Sequence, residues 1–265
     1  MIPARKRWGQ HFLTRGATAE RIVNAACVSS TDTVVEVGPG EGALTRPLAA
    51  RAARLLAIEI DPRRAEALRE ELDGGRRVRV LSGDVLQRSF REWLAEAGWE
   101  GPALLVANLP YNAATPILLA ALDERDVIRR SVATVQREVA ERFVAQPGDA
   151  RYGFLSVRAA SAATGRILFD LPPAAFRPRP KVISSVLELT PRDPPLPADV
   201  ARRAVDLASR GFRVRRKTLA NALSGGRGRA PWEEAIARLG RSPMVRAEEL
   251  SLEDYIELAR WVPES

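Results

Sequence analysis

Cysteine, histidine and long apolar runs are scarce in this chain. The single cysteine, Cys27, excludes an internal disulfide, and the apolar stretch of helical spacing around it predicts a buried thiol. With His11 as the only histidine, a zinc site built from cysteine and histidine is excluded. No window holds the roughly 18 uninterrupted apolar residues of a membrane span, and the basic start lacks the apolar segment of a signal peptide. These absences predict a cytoplasmic protein that binds no metal and no membrane.

Basic charge is abundant but unevenly placed. The net charge is +8, and residues 176–229 hold 13 basic against 4 acidic side chains. Residues 1–15 form a basic arm, whereas residues 230–265 are acidic and the rest of the chain is about neutral. Two separate basic segments predict a polyanion as partner, most commonly a nucleic acid. A solvated charged surface is the alternative for either segment alone.

Short apolar runs alternate with segments of helical spacing. The runs predicted as strands are Thr33–Val37, Leu55–Asp61, Val78–Leu81, Leu104–Ala107, Val132–Val135, Arg166–Leu171 and Val182–Leu189. Helical spacing separates the first five, for example over Thr18–Val28 and Glu138–Val144. This alternation predicts an α/β fold with a doubly wound, mostly parallel sheet.

The pattern changes in the second half of the chain. Ala159–Thr164 is predicted to be helical, and the proline-rich residues 191–197 are predicted to be a linker. Beyond the linker only helices are predicted, at about 198–210, 215–223, 231–239 and 251–261. We therefore expect an α/β domain over residues 1–190 and a small all-helical domain over residues 198–265.

Three successive strand ends offer groups that suit an adenosine without phosphates. Gly38 and Gly40 follow the first strand and let a ligand approach the backbone, in a G-x-G-x-G spacing that differs from the dinucleotide and phosphate-loop patterns. Glu59 lies at the end of the second strand, where a carboxylate can accept from both ribose hydroxyls. Asp84 follows the third and can accept from an adenine amino group. Each acid alone is also typical of a helix cap, but the order of all three favours S-adenosylmethionine as the cofactor.

The loop Asn108–Tyr111 follows the next apolar strand and reads Asn-Leu-Pro-Tyr. Ligands of open α/β sheets bind at the carboxyl ends of the strands. Asn108 offers an amide oxygen that can accept from an NH2 group, Tyr111 offers a ring that can stack on a base, and Pro110 stiffens the turn. An ordinary loop with a half-buried tyrosine is the alternative, so the flanking motifs must decide.

Eight motifs of this chain occur in the order found in one enzyme family. They are Gln10–Leu13, Glu36–Gly42, Glu59–Asp61, Gly83–Val85, Asn108–Tyr111, Gln136–Arg142, Phe176–Val182 and Arg215–Asn221. Through them the chain resembles, from residue 8 to about residue 260, the ribosomal RNA adenine N6,N6-dimethyltransferases of the KsgA type. The resemblance implies a Rossmann-like, S-adenosylmethionine-dependent enzyme. Its implied substrate is two adjacent adenosines in the 3′-terminal hairpin of small-subunit (16S) ribosomal RNA.

The resemblance also implies roles for particular residues. The implied cofactor contacts are His11, Leu13, Gly38, Gly40, Glu59, Ile60, Asp84, Val85 and Asn108. The implied catalytic residues are Asn108, Leu109, Pro110, Tyr111 and Phe176, with the rings of Tyr111 and Phe176 on either side of the flipped adenine. The chain departs from the family at His11, where asparagine is common, and at Ile183, where an acid is common. A histidine need not contact the cofactor as an asparagine does.

The basic segments supply candidate RNA contacts. The residues are Arg177, Arg179, Lys181, Arg213, Arg215, Arg216 and Lys217. Phosphate contacts of this kind position RNA without specifying its sequence. An ordinary helix surface is the alternative for the last three residues, and Lys217 can instead pair with an acid. The expected partner is small-subunit ribosomal RNA within an assembling 30S particle, bound by a monomer.

Two other functions stay open at this point. A large-subunit adenine N6-methyltransferase of the macrolide-resistance type shares the Asn-Leu-Pro-Tyr loop, although Pro178–Val182 and Arg215–Asn221 favour the small-subunit enzyme. A ribosome-assembly factor could keep the fold without catalysis. The intact glycine loop, strand-end acids and loop asparagine favour an enzyme over that alternative.

Overall fold

The computed structural model describes residues 10–72, 77–214, 216–225 and 228–261. The chain forms two compact units. The first unit runs to Ala140 and includes Gly165–Pro191, and the second comprises Glu141–Thr164 and the chain from Arg192 onward. Residues 141–164 therefore group with the C-terminal helices, whereas the sequence places them within the expected α/β domain.

Strands and helices alternate from Phe12 to Pro191. The strands are β1 (Phe12–Leu13), β2 (Thr33–Val37), β3 (Arg54–Glu59), β4 (Val78–Ser82), β5 (Ala103–Asn108), β6 (Ile128–Gln136), β7 (Ala163–Leu171), β8 (Phe176–Arg177) and β9 (Ser184–Pro191). The helices are α1 (Gly16–Ala25), α2 (Thr45–Arg51), α3 (Pro62–Leu72), α4 (Phe90–Glu96), α5 (Ala114–Asp123), α6 (Arg137–Val144) and α7 (Phe154–Ala162). The predicted alternation is confirmed, with boundaries shifted by a few residues.

Seven of these strands form one sheet in the order β4-β3-β2-β5-β6-β9-β7. The strands from β4 to β6 run parallel, and β9 runs antiparallel to β6. The central strands are apolar on both faces, as expected for parallel strands buried on both sides. The chain continues from β2 to β3 and β4 on one side and then returns to the other side as β5. The topological switch point, where α/β sheets bind ligands, therefore lies between β2 and β5.

The helix predicted over Ala159–Thr164 is wrong at its C-terminal end. Helix α7 ends at Ala162, and Ala163 is extended, with φ −150° and ψ 163°. Thr164 is β-branched and Gly165 is a poor helix former, so both residues favour the strand that follows.

The prediction that Cys27 is buried is also wrong. The side chain is exposed. Helix α1 ends at Ala25, two residues before the cysteine, and the backbone of Cys27 is left-handed with φ 47°. The side chain therefore does not continue the apolar face that α1 buries through Ile22 and Val23.

The second unit is helical around its own core. Its helices after α7 are α8 (Ala198–Arg213), α9 (Leu219–Leu223), α10 (Ala230–Arg238) and α11 (Leu252–Trp261). Tyr255 is fully buried, and its hydroxyl donates to the Ala247 carbonyl at 2.9 Å. Tyr152 donates in the same way to the Leu250 carbonyl at 2.7 Å. Within the described ranges, no helix has the length and apolar character to cross a bilayer.

Candidate cofactor and target site

The loop after β2 lies at the switch point and turns on glycines. Gly38 and Gly40 have φ values of 69° and 60°, in the left-handed region that other residues rarely adopt. The Gly38 N–H donates to the Ile58 carbonyl at 2.9 Å, which ties the loop to β3. A Cβ added at Gly40 would lie 2.6 Å from the Phe12 ring. A glycine is therefore required at position 40, both because the backbone there is left-handed and because Phe12 approaches it closely.

Glu59, at the end of β3, is hydrogen-bonded to this loop. The side chain is 1% exposed, and its two oxygens accept from the N–H groups of Gly40 and Asp61, each at 3.0 Å. Burial raises the pKa of Glu59, while these two N–H groups oppose the increase. Each carboxylate oxygen retains a further lone pair, because an ionised carboxylate offers about four acceptor sites. Glu59 can therefore order the loop and still accept from the hydroxyls of a ligand.

Glu36, near the end of β2, is a second buried acid close to Glu59. Burial raises the pKa of Glu36 to about 8, the Thr45 hydroxyl opposes the increase, and the Glu59 carboxylate adds to it. One carboxyl oxygen, Oε2, makes no hydrogen bond with any described residue. Glu36 is therefore mostly protonated at neutral pH in the folded protein.

We expect Glu36→Gln to remove a pH dependence of stability. Folded Glu36 keeps its proton up to a pKa of about 8, whereas the unfolded carboxyl has the ordinary value of 4.5. Between these values the folded state binds more protons, so the free energy of unfolding falls as pH rises, by roughly 1.4 kcal/mol per pH unit. Chemical unfolding of both proteins at about pH 5, 6.5 and 8 measures this difference. The prediction would be contradicted if the difference in the free energy of unfolding between the wild type and the variant stayed constant across this range.

Asp84 follows β4 and caps the short 3₁₀ helix Val85–Gln87. Its Oδ1 accepts from the Leu86 N–H at 3.0 Å. The other oxygen makes no hydrogen bond with a described residue, so it is available to a ligand amine. Val85 is buried, whereas Ile60, after β3, is 39% exposed. The exposed Ile60 side chain offers an apolar surface of the kind that a purine covers.

Asn108 ends β5 with its amide held in one orientation. The amide Nδ2 donates to the His11 carbonyl at 2.7 Å. The amide oxygen, Oδ1, is buried and has no partner among the described residues. The next residue, Leu109, is fixed by its N–H, which donates to the Thr134 carbonyl at 3.1 Å. Among the described residues, the site therefore presents an acceptor oxygen that is left to bind a ligand.

Tyr111 is fixed at its hydroxyl and covered on its ring. The hydroxyl lies 2.5 Å from Ser184 Oγ, and the ring centroid lies 4.9 Å from that of His11, at an interplanar angle of 31°. Burial raises the pKa of Tyr111, and the Ser184 hydroxyl opposes the increase. Phe176 is not brought to Tyr111. It is 3% exposed and belongs to the apolar cluster around Leu13.

The arm segment, defined here as Gln10–Leu13, lies across the loops described above. Its Phe12 and Leu13 form β1, which pairs antiparallel with β8. The Arg64 guanidinium lies 4.3 Å from the Phe12 ring centroid, and Arg64 is itself 2% exposed and 3.6 Å from a Glu41 carboxylate oxygen. No sequence pattern points to Arg64, since its burial depends on the position of Phe12.

The arm segment leaves a small cavity beside the loops. The cavity measures about 40 Å³ and is lined by Gln10, His11, Phe12, Gly38, Glu59, Ile60, Asn108, Leu109 and Pro110. Seven of the thirteen residues predicted for cofactor binding and catalysis therefore lie together, whereas Leu13, Gly40, Asp84, Val85, Tyr111 and Phe176 are not among the lining residues. Within the described part of the chain, no group of three His, Cys, Asp or Glu side chains is arranged to hold a metal ion.

The predicted RNA contacts are exposed in both units. In the first unit they are Arg177, Arg179 and Lys181. In the second unit they are Arg213, Arg216 and Lys217, whereas Arg215 lies outside the described residues. None of these six side chains forms an ion pair with an acid in the described ranges. Many other arginines do, including Arg51 with Glu20 and Arg91 with Asp126.

The family model for ribosomal RNA adenine dimethylase matches residues 1–263. The chain belongs to this family. It is therefore an enzyme that methylates adenines of ribosomal RNA. Ribosomal RNA small subunit methyltransferase A of Methylococcus capsulatus is 41% identical over 257 residues, which cover 97% of this chain and 96% of that protein. The protein of the same name from Bordetella avium is 39% identical over 256 residues, which cover 96% and 94%.

Solved structures share the fold of this dimethylase family member. A dimethyladenosine transferase from Plasmodium falciparum matches with a TM-score of 0.76 at 23% identity, covering 94% of this chain and 96% of that one. The 23S rRNA methyltransferase ErmE matches with a TM-score of 0.74 at 27% identity, covering 94% and 98%. The predicted Rossmann-like methyltransferase fold with a helical C-terminal part is confirmed. The two TM-scores are nearly equal, so the fold alone does not distinguish a dimethyladenosine transferase from a 23S rRNA methyltransferase.

Proposed function

We propose that this dimethylase transfers methyl groups from S-adenosylmethionine to N6 of two adjacent adenosines in the 3′-terminal hairpin of small-subunit (16S) ribosomal RNA. The observation that carries the proposal is Asn108, whose amide is oriented so that a buried Oδ1 lacks a protein partner in the described ranges. Relatives about 40% identical, named for the small subunit, support this choice of RNA. We expect it to act as a cytoplasmic monomer on an assembling 30S particle and to release S-adenosylhomocysteine.

The carboxyl edge of the sheet fits this cofactor, which supplies an electrophilic methyl group when bound. Glu59 would accept from the ribose hydroxyls with the lone pairs that Gly40 and Asp61 leave. The second oxygen of Asp84 would accept from the adenine amino group. Ile60 and Val85 would provide an apolar surface for the purine. Backbone at Gly38 and Gly40 would admit the ligand closely, since no Cβ intervenes there.

Asn108 would act on the target amine by accepting its hydrogen. The N6 lone pair of adenine is delocalised into the ring and is a poor nucleophile. If Asn108 Oδ1 and the carbonyl of Leu109 or Pro110 accept the two N6 hydrogens, the nitrogen becomes more tetrahedral and its lone pair points at the methyl group. This mechanism relies on positioning and preorganised dipoles rather than on a strong base. In each transfer the N6–C bond would form as the C–S bond of the cofactor breaks, and the cationic N6 would then lose one proton to water. The monomethylated N6 would retain one hydrogen, so a second cofactor molecule could complete the dimethylation.

The arm segment would open to admit the cofactor and then cover it. A cavity of about 40 Å³ is much smaller than the roughly 300 Å³ or more of a typical ligand pocket. The backbone of the arm at His11 and Leu13 would close over the cofactor after entry, through the arm rather than through a separate domain. Separation of the arm segment from β8 would also uncover Phe176, which pairs with Leu13 and would then join Tyr111 against the flipped adenine.

We expect replacement of Arg177, Arg179 and Lys181 by alanine to weaken RNA binding, because these exposed cations pair with no acid in the described ranges and can bind phosphate. The slope of log affinity against log salt should fall by about two to three in magnitude. A matched triple variant, with Arg51, Arg91 and Arg129 changed to alanine, removes the same charge from ion-paired positions. Filter binding of small-subunit RNA at several salt concentrations measures both. Equal slopes in the two variants would contradict the assignment.

Mapping of the methylated nucleotides tests the proposed substrate. We expect small-subunit RNA methylated in vitro to yield one nuclease fragment, from the 3′-terminal hairpin, that carries two adjacent dimethyladenosines by mass spectrometry. The likeness to the 23S rRNA methyltransferase makes a large-subunit adenine the second candidate. A modified fragment from large-subunit RNA would favour that candidate and contradict the proposal.

A further inference from the structure

His11 contacts three residues that lie in two segments of the first unit. Its ring stacks on Tyr111 with centroids 4.9 Å apart. Its Nδ1 lies 2.6 Å from the Pro178 carbonyl, between the exposed Arg177 and Arg179. Its own carbonyl accepts from Asn108 Nδ2 at 2.7 Å. The resemblance implies only a cofactor contact for this position, whereas these three contacts are made with the loop Asn108–Tyr111 and with the segment after β8.

The contact with Pro178 fixes the imidazole. A carbonyl oxygen can only accept, so Nδ1 must carry a hydrogen and donate it. One directed hydrogen bond together with one stacking contact leaves the ring little freedom to rotate. Tyr111, held at its hydroxyl by Ser184, is thereby also supported on one face of its ring.

The contact with Asn108 decides which atom of its amide faces the substrate. Rotation of the amide by 180° exchanges Oδ1 and Nδ2, and only Nδ2 can donate to the His11 carbonyl. The reverse orientation would place two oxygens against each other at this point. As long as the His11 backbone stays in place, Oδ1 is kept as the acceptor.

We propose that His11 is a positioning residue of the target site, whose ring supports Tyr111 and whose fixed backbone keeps the Asn108 amide oriented to accept from the target amine. The inference rests on the proposed function, because it assigns His11 to the methyl-accepting side of that same site. It differs from a cofactor-contact role in its kinetic consequence. Loss of the side chain should lower kcat at saturating cofactor, and cofactor affinity should change little.

Three substitutions separate the two contacts of the side chain. His11→Ala removes both, His11→Asn keeps a donor for the Pro178 carbonyl, and His11→Phe keeps a ring for Tyr111. We expect kcat to fall about 10- to 100-fold in His11→Ala and less in the other two, because small displacements of reacting groups have effects of this size. The cofactor Kd should change by less than about threefold. Thr14→Val is the matched control, since it removes one hydrogen bond to the Ala175 carbonyl near the arm.

The experiment measures kcat and KM on small subunits and the cofactor Kd by calorimetry. It also follows the Asn108 side-chain NH2 signal by NMR, assigned by its absence in Asn108→Ala. We expect this signal to shift or broaden in His11→Ala and to stay unchanged in Thr14→Val. A raised cofactor Kd with unchanged kcat and an unchanged NH2 signal would overturn the inference. Failure of the wild type to methylate any small subunit would instead overturn the proposed function, and the NMR comparison would still test the role of His11.

Discussion

Asn108→Ala is expected to lower kcat on the order of 10²- to 10³-fold, because the variant lacks the acceptor oxygen that would hold the target amine. In the protein that oxygen is buried, has no partner among the described residues, and is oriented by Nδ2 against the His11 carbonyl. RNA binding should survive, since the basic residues that would contact phosphate lie elsewhere in the chain. Single-turnover methylation and filter binding of the same preparation measure the two properties.

Asn24→Ala is the matched control for this experiment. It makes the same chemical change at an exposed position of α1, so both activity and RNA binding should stay at the wild-type level. If Asn108→Ala lost RNA binding together with transfer, the separate roles assigned to the loop and to the basic residues would be refuted. Nearly wild-type kcat would refute the acceptor role itself.

Gly40→Ala is expected to weaken cofactor binding by roughly 10- to 100-fold, equivalent to about 1.4–2.7 kcal/mol. The first reason is backbone strain, since φ at Gly40 is 60°. The second is contact, since the new Cβ would lie 2.6 Å from two atoms of the Phe12 ring. Phe12 is held by Arg64 and by the pairing of β1 with β8. The clash should therefore displace the whole arm segment. It should also disturb the hydrogen bond that the Gly40 N–H donates to Glu59.

Gly98→Ala separates the strain from the clash. Its φ is 76°, and no heavy atom lies within 4 Å of an added Cβ. We expect it to lower the free energy of unfolding by about 1 kcal/mol and to leave the cofactor Kd unchanged. Calorimetric titration and chemical unfolding of both variants provide the measurements. Equal cofactor Kd values in the two variants would show that the contact between the arm and the glycine loop does not matter.

The sequence predicted the strand-end residues well because their placement follows from topology. Parallel strands end at the same edge of a sheet, so residues at or just after the ends of β2, β3 and β5 must approach each other whatever the details of packing. The Gly38 loop, Glu59 and Asn108 accordingly lie together around one cavity. The assigned roles of these residues stay predictions, because proximity does not demonstrate binding.

The contacts of the arm could not be predicted, because they depend on long-range packing that no local pattern encodes. Phe12 lies against Gly40 and beneath Arg64, and Leu13 pairs with Phe176 across more than half of the chain. These contacts bury Arg64 and Phe176, which sequence reasoning would leave exposed or place in the substrate pocket. The exposure of Cys27 has a simpler cause. Helical spacing continues past Ala25, but the helix does not.

The most direct test of the account is methyl transfer with labelled S-adenosylmethionine to under-methylated small subunits, large subunits and DNA in parallel, followed by digestion and identification of the labelled nucleoside. We expect N6,N6-dimethyladenosine from small subunits alone. Label in large-subunit RNA would contradict the proposed specificity. The absence of label from all three substrates would contradict the catalytic assignment and favour an assembly factor that kept the fold.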